Sequence, residues 1–549
     1  MPPFRLGINM AGAVSAGAYT AGVLDFLTEA LDAWSAAKQN GEAVPRHEVS
    51  LEVLSGASAG GMCAAIAAAM MQGDFDHIHD TRLVGTSNTF YESWVNKIDI
   101  TKLLGTDDLD GDGPVYSLLD CSIIDQIADY ALAPGQPPTA RPYISPSLTL
   151  FLTLTNLSGV PYSLNDVGDG SPEESSLYHA DRLRFETTLE NGRPSTPTAK
   201  PLPKGDGSQG AWPLLREAAK ATGAFPIFLR PRQLQRDVAD YEVPLWESVN
   251  PHAPRGPKIS PKWPPGGGAT IQTINVDGGV IDNDPFDLAH DYLASLDPPS
   301  PNNVNCPGPK ESDRAVVTVA PFPSQCSFTA APNFSQDAAV RAAAGGLISV
   351  FITQSRFFGE SLSKIAASTF SRFMIAPSDT SLPSGIPALQ GGSLGAFGGF
   401  FYRGFRAHDF ELGRYNCQRF LNVHFALPLT NPIIAAGLTP AALAKFKVKP
   451  PSDAKTELDQ DWIQIIPLCT DELKAPIATP QRRKMSKNDL DGIIDLVKAR
   501  LESLVPRVLD VHSAVAHVIR AALAVMETLE RDKIRELLIT ALGDGVQVE

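Results

Sequence analysis

Apolar residues recur along this chain at two periods, and the switching between them predicts strands and helices in alternation near the N-terminus. FRLGIN (Phe4 to Asn9) is a short apolar run and reads as a buried strand. Val23, Phe26, Leu27, Ala30, Leu31 and Trp34 then repeat at helical spacing. EVSLEVLSG (Glu48 to Gly56) reads as a second strand. GGMCAAIAAAMM follows as a helix of small residues suited to burial against a sheet. Strand, loop and helix, repeated twice, open an α/β sheet with right-handed crossovers. Further strands are expected at Ser147 to Leu157, at TIQTINV (Thr270 to Val276) and at Arg314 to Phe322. The intervening stretches, roughly 158–212, 243–268 and 298–309, read as surface insertions, which either shape a cleft or decorate the fold.

Beyond about residue 330 the pattern changes. A helical stretch over roughly 335–373 leads to a Gly-rich loop near 390–400 and then to an Arg- and Phe-rich segment. From Ser486 the chain reads as helix. Leu490, Ile493, Ile494, Val497, Leu501 and Leu504 form one stripe that Pro506 ends; Val511, Val515, Val518, Ala522, Val525 and Leu529 form another.

Composition bounds what this frame does. The 549 residues are 43% hydrophobic and 19% charged, a globular balance, and 46 prolines fit long loops inserted in an ordered frame. A net charge of −15 argues against nucleic acid and against strong docking on anionic lipid, but not against neutral or zwitterionic lipid. Six cysteines without a C-x-x-C argue against a zinc site or a disulfide scaffold; Cys306 and Cys326 can pair only in an oxidising compartment. Arg5 followed by apolar residues to Leu24 imitates a signal peptide, but interrupting glycines and Asn9 favour strand, loop and helix. No run of eighteen apolar residues occurs, so no membrane span is expected.

Candidate chemistry lies at three places. Gly56-Ala57-Ser58-Ala59-Gly60 is a G-x-S-x-G between an apolar strand and a small-residue helix, the context such a turn requires. Side chains at 56 and 60 would collide with the neighbouring strand and helix. Asp277-Gly278-Gly279 closes an apolar strand, where an aspartate either acts on substrate or caps the next element. The loop Ala11 to Gly17 presents backbone amides at a helix N-terminus; without G-K-[ST] or G-x-G-x-x-G, an oxyanion hole fits it better than a nucleotide site. Only one strand and helix precede Ser58, which disfavours an ordinary Ser-His-Asp hydrolase.

These pieces, in this order, resemble the patatin-like phospholipases: AGAVSAGAYTAGVL, GASAG and DGGVIDNDP, with Asn283, Pro285 and AAKATGAFPIFLRP (Ala218 to Pro231) as lesser marks over roughly residues 4–325. The resemblance implies an α/β fold, a three-layer sandwich around a mostly parallel central sheet, with long loop insertions and a helical C-terminal extension. With the helical pattern beyond it, a catalytic domain over 1–330 and a mainly helical C-terminal region over 331–549 packing on the core are expected. The resemblance implies hydrolysis of (phospho)lipid acyl esters with Ser58 as nucleophile, Asp277 as base, and the amides of Gly12, Ala13 and Val14 as oxyanion hole. No metal or organic cofactor is implied; the partner is a lipid ester met in the cytoplasm or at a membrane periphery. Two departures stand out. Ala13 and Val14 replace glycines of the family loop, and Ala16 stands where the family carries Arg or Lys. An aspartate, with a reference pKa near ~3.9, needs burial and a short hydrogen bond to act as base. Two rivals stay open: a triad esterase recruiting His290 or His408, and a catalytically silent scaffold that binds lipid or protein.

Two other clusters have weaker chemistry. Asp108, Asp110 and Asp112 match the first half of a calcium loop, but Leu119 stands where its last acid belongs. Arg403, Arg406, His408, Asp409 and Arg414 read as internal ion pairs before they read as a phosphate site.

Overall fold

A computed structural model describes residues 2–134, 139–164, 174–188, 192–205, 207–255, 259–263, 268–296, 308–323, 372–383, 385–451, 457–508 and 531–543. Among these residues nine strands form one sheet: β1 (Phe4–Met10), β2 (Val49–Gly56), β3 (Ile144–Leu164), β4 (Glu174–Thr188), β5 (Lys200–Pro203), β6 (Arg232–Asp237), β7 (Thr270–Asp277), β8 (Arg314–Val319) and β9 (Arg372–Ile375). Their order is β5-β4-β3-β2-β1-β8-β9, with β7 also on β3 and β6 on β7. The pairs β1/β2, β1/β8, β2/β3, β8/β9 and β4/β5 are parallel; β3/β4, β3/β7 and β6/β7 are antiparallel.

The near-continuous apolar runs of β1 and β8 follow from burial on both faces. Phe4, Leu6, Ile8 and Met10 of β1, with Ala315, Val317 and Val319 of β8, join the core formed with helices α1 (Gly17–Gln39) and α2 (Ser58–Met70). Val53, Phe151 and Val316 point the other way and meet Phe286, Leu288, Ala289 and Leu293. Those four lie on helix α5 (Phe286–Ser295). Helix, sheet and helix make the three layers. Between α2 and α5 in sequence lie α3 (Ser122–Ala131) and α4 (Trp212–Thr222).

One segment departs from the sequence expectation. The stretch read as an insertion from about 158 continues β3 to Leu164 and returns as β4 and β5. The register shifts between Thr155 and Val160, where Gly159 takes φ 71° and Asn156 Oδ1 accepts the amides of Ser158 and Gly159. This bulge gathers Ser, Gly and Pro into mid-strand, where they imitate a loop. By contrast, 243–263 carries no helix or strand among its described residues.

Residues beyond 330 enter the same core. Helix α6 (Arg403–Val423) lies against α1, and the crossing is close because glycines face it. A Cβ on Gly22 would sit 2.0 Å from the Phe410 carbonyl oxygen, and one on Gly413 would sit 2.2 Å from that of Tyr19. Arg414 pairs with Asp25 and, at 2.6 Å, with Glu29, both on α1. Helix α7 (Lys487–Val508), running past Pro506, buries Leu490, Ile493, Ile494, Leu501 and Leu504. Of these, Leu490, Ile493 and Ile494 share a second core with Ile98, Leu103, Ile124 and Phe405. A short helix, α8 (Arg531–Leu542), joins it through Ile534 and Leu542. A small sheet of β10 (Ala426–Pro428), β11 (Lys447–Val448) and β12 (Trp462–Gln464) completes the region. The expected helix over 335–373, apart from 372–373 in β9, the second apolar stripe from Val511, and Cys306 with Cys326 all lie outside the described residues. No described helix is long and apolar enough to cross a membrane.

Candidate active site

β2 ends at Gly56, Ala57 stays extended at φ −122°, and α2 begins on Ser58. Ser58 itself takes φ 53°, a left-handed conformation that costs a non-glycine residue about 1–2 kcal/mol. The turn is over-determined by its neighbours. A Cβ on Gly60 would lie 2.1 Å from the Met10 carbonyl oxygen, and one on Gly56 would lie 2.7 Å from Gly60. Both positions must therefore lack a side chain, as the motif demands. The Ser58 amide donates to Thr222 Oγ1 at 2.9 Å, tying the turn to the end of α4.

Asp277 closes β7. Its backbone is held on both sides: its amide donates to the Ala224 carbonyl at 3.0 Å, and its carbonyl accepts from Thr155 Oγ1 at 2.9 Å. The carboxylate thus arrives fixed. Oδ1 accepts from the Gly279 amide at 2.7 Å and Oδ2 accepts from Ser58 Oγ at 2.6 Å. Burial raises the Asp277 pKa from 3.8 to about 7; the bonds from Ser58 and Gly279 pull the other way and only partly offset it. Within the described residues no histidine hydrogen-bonds to this pair. His290 Nδ1 faces Asp291 at 3.1 Å, and His408 Nδ1 faces Asp409 at 2.9 Å.

In the loop before α1, Val14 lines one cleft with Ser58 and Asp277. The loop's three expected amides are not equivalent. That of Gly12 is already spent, donating to the Asn283 carbonyl at 3.0 Å. Close approach of the chain after the Asp-Gly-Gly turn causes this: a Cβ on Gly12 would meet the Asn283 side chain at 2.0 Å and Ser58 Cβ at 3.0 Å. Val14 sits at φ 48°, an outlier for a β-branched side chain, where a glycine would be at ease.

The cleft has a cavity volume of about 80 Å³. Its walls are mostly apolar: Met62 and Ile66 from α2, Trp94 and Ile98, Ile124 and Ile127 from α3, then Phe225, Leu229 and Phe400. Lys220 also lines it, its ammonium held by Glu217 at 2.7 Å and Asp125 at 3.0 Å. The α3 wall had a readable signal, since Ile124, Ile127, Ala128 and Ala131 repeat at helical spacing. Trp94 and Phe400 carried none, because each reaches the cleft from a distant segment.

Members of the two remaining clusters are engaged within the fold. Asp108 receives the Arg500 guanidinium from α7, with Nη2 on Oδ2 at 2.9 Å. Arg403 donates to Asn96 Oδ1 at 2.9 Å, and Arg406 donates to the carbonyls of Gly399 at 2.9 Å and Phe400 at 3.0 Å.

The family described as patatin-like phospholipase matches residues 9–290. An uncharacterized protein of Sinorhizobium fredii, y4iI, is 33% identical over 570 residues, covering 94% of this chain and 78% of that protein. The crystal structure of VipD from Legionella pneumophila is similar at 11% identity over 100% of this chain and 92% of that one, with a TM-score of 0.20. Because the family match takes in the serine turn and Asp277 together and extends over more than half of the sequence, this chain belongs to the patatin-like phospholipase family.

Proposed function

We propose that the protein hydrolyses carboxylic ester bonds of lipids, phospholipids included, with Ser58 as nucleophile and Asp277 as general base. One observation carries the reading: a 2.6 Å Ser58–Asp277 hydrogen bond at the floor of an apolar-walled cleft. The Asp277 carboxylate takes the Ser58 proton as Oγ attacks the ester carbonyl carbon. The tetrahedral oxyanion forms beside the loop, where the amides of Ala13 and Val14 receive it; Gly12 contributes by close packing, its own amide being engaged. Collapse expels the alcohol, which takes the proton back from Asp277. Water then attacks the acyl-enzyme, again losing its proton to Asp277, and collapse breaks the bond to Oγ, releasing the fatty acid as Ser58 takes that proton back. A pKa near 7 suits this base, because it holds a proton strongly enough to accept one and releases it near neutrality.

The apolar walls suit an acyl chain, and the rim suits a lipid surface. Phe225 of the cleft packs against Phe228 at 5.9 Å between centroids with the rings tilted by 54°, and both meet Phe397, at 5.5 and 5.3 Å. Ile227 and Phe228 are exposed, Ile227 at φ 73°. We assign the work to a cytoplasmic protein touching zwitterionic membrane peripherally, with residues 1–330 as catalytic unit and 331–549 packed on it.

A fluorophosphonate probe with mass mapping, run beside a panel of lipid esters, tests the reading. Adduct on Ser58 and release of fatty acid from at least one lipid are expected. A folded protein that neither labels at Ser58 nor releases fatty acid would make it a silent scaffold.

A further inference from the structure

The strained Val14 amide needs something to hold it, and the next residue shows what does. Ser15 is buried, and its hydroxyl donates to the Ala396 carbonyl at 2.6 Å while accepting the Gly399 amide at 3.1 Å. These partners lie more than 380 positions away in sequence, on the Gly-rich segment near 390–400. That segment is itself unusual. Leu394, Gly395 and Ala396 take φ 53°, 62° and 74° in succession. Three left-handed residues in a row, two of them with side chains, persist only where the surroundings enforce them, and such strain gathers at functional sites.

The surroundings here are specific. Both oxygens of the buried Asp409 carboxylate, on α6, accept backbone amides at 2.8 Å, from Gln390 and Gly391. The Gln390 side chain exchanges two hydrogen bonds with the Arg483 backbone, at 2.9 and 2.7 Å. Arg406 secures the far end through the Gly399 and Phe400 carbonyls. The segment is a strap anchored at both ends, and Phe400 at its end forms part of the cleft wall.

We propose that Ser15 is a positioning residue, and that the 390–400 strap sets the oxyanion loop through it. The inference rests on the hydrolase reading above. Ser15 touches no substrate. It fixes the peptide that follows Val14, and thereby the direction of the Val14 amide in the tetrahedral state. The C-terminal region then completes the active site as well as packing against it.

Ser15→Ala and Gly399→Ala test this from opposite sides of one contact; the added Cβ of the second would lie 2.5 Å from Ser15 Oγ. Both variants and wild type are measured on one soluble short-chain ester and titrated with a trifluoromethyl ketone that mimics the tetrahedral state. Removing one oxyanion donor lowers turnover about 10²–10³-fold, so each variant should lose on the order of 10²-fold in kcat with KM within about threefold. Affinity for the ketone should fall in parallel with kcat/KM. Circular dichroism and Tm control for folding. Wild-type kcat and unchanged ketone affinity in both variants would overturn the strap's role. A parallel loss of kcat and rise of KM with ketone affinity intact would also overturn it, leaving Ser15 a packing residue. A wild type without hydrolysis, by contrast, refutes the underlying activity and is read from a different arm.

Discussion

Asp277→Asn separates the charge of this carboxyl from its shape. The variant keeps an acceptor for the Gly279 amide and the size of the side chain, but cannot take the Ser58 proton. Turnover should fall about 10²–10⁴-fold, the range expected for loss of a positioned base. Stability should move the other way. The folded-state pKa of about 7 lies above the 3.8 of the free side chain, so the folded protein holds a proton that the unfolded chain has released between those values. Stability from this group is complete below 3.8 and is lost as pH rises through about 7. At 1.36 kcal/mol per unit the loss totals about 4 kcal/mol. Two of those pH units lie between 5 and 8, so the asparagine variant should gain about 3 kcal/mol on wild type over that interval. Urea unfolding of both proteins at pH 5 and pH 8 measures it. Initial rates on a soluble ester should show wild-type kcat/KM climbing about tenfold per unit below pH 7 and levelling above it. A flat wild-type rate profile, together with equal pH dependence of stability in the two proteins, would refute a buried, titrating base.

Four further outcomes follow from named contacts. Ser58→Gly should abolish ester hydrolysis yet unfold about 1 kcal/mol later than wild type, since glycine is at ease at φ 53°; an active Ser58→Gly enzyme would remove Ser58 from the mechanism. His290→Gln should keep most activity, because His290 faces Asp291 and takes no part in the Ser58–Asp277 pair; a dead but folded variant would revive the triad. Ile124→Trp and Met62→Phe should narrow the cleft and move preference towards shorter acyl chains, read as the ratio of kcat/KM between two p-nitrophenyl esters; an unchanged ratio would place the acyl chain elsewhere. Ile494→Ala, at a fully buried position of α7, should cost about 2–5 kcal/mol in denaturant unfolding, and a cost near zero would detach that helix from the core.

Sequence alone determined what obeys local rules in this protein. An apolar strand running into G-x-S-x-G is a complete local instruction, because Gly56 and Gly60 have no room for a side chain and Ser58 must take the left-handed turn between them. The same holds for Asp277, set at a strand end with Gly279 returning an amide to it. Buried parallel strands announced themselves by apolar runs, and α7 by its stripe. The hairpin of β3 and β4 was hidden, because a bulge puts Gly159 and Pro161 where a reader of propensities expects a loop. Tertiary structure alone decided how the site is finished. Trp94 and Phe400 become walls of one cleft, Asn283 takes the Gly12 amide, and Ser15 meets a strap almost four hundred residues on. The base depends on it too: a pKa near 7 comes from the desolvation of Asp277, which only the folded chain around it supplies. Periodicity and motif spacing report a residue's near neighbours along the chain. Burial, electrostatic environment and contacts between distant segments arise only when the layers close over one another.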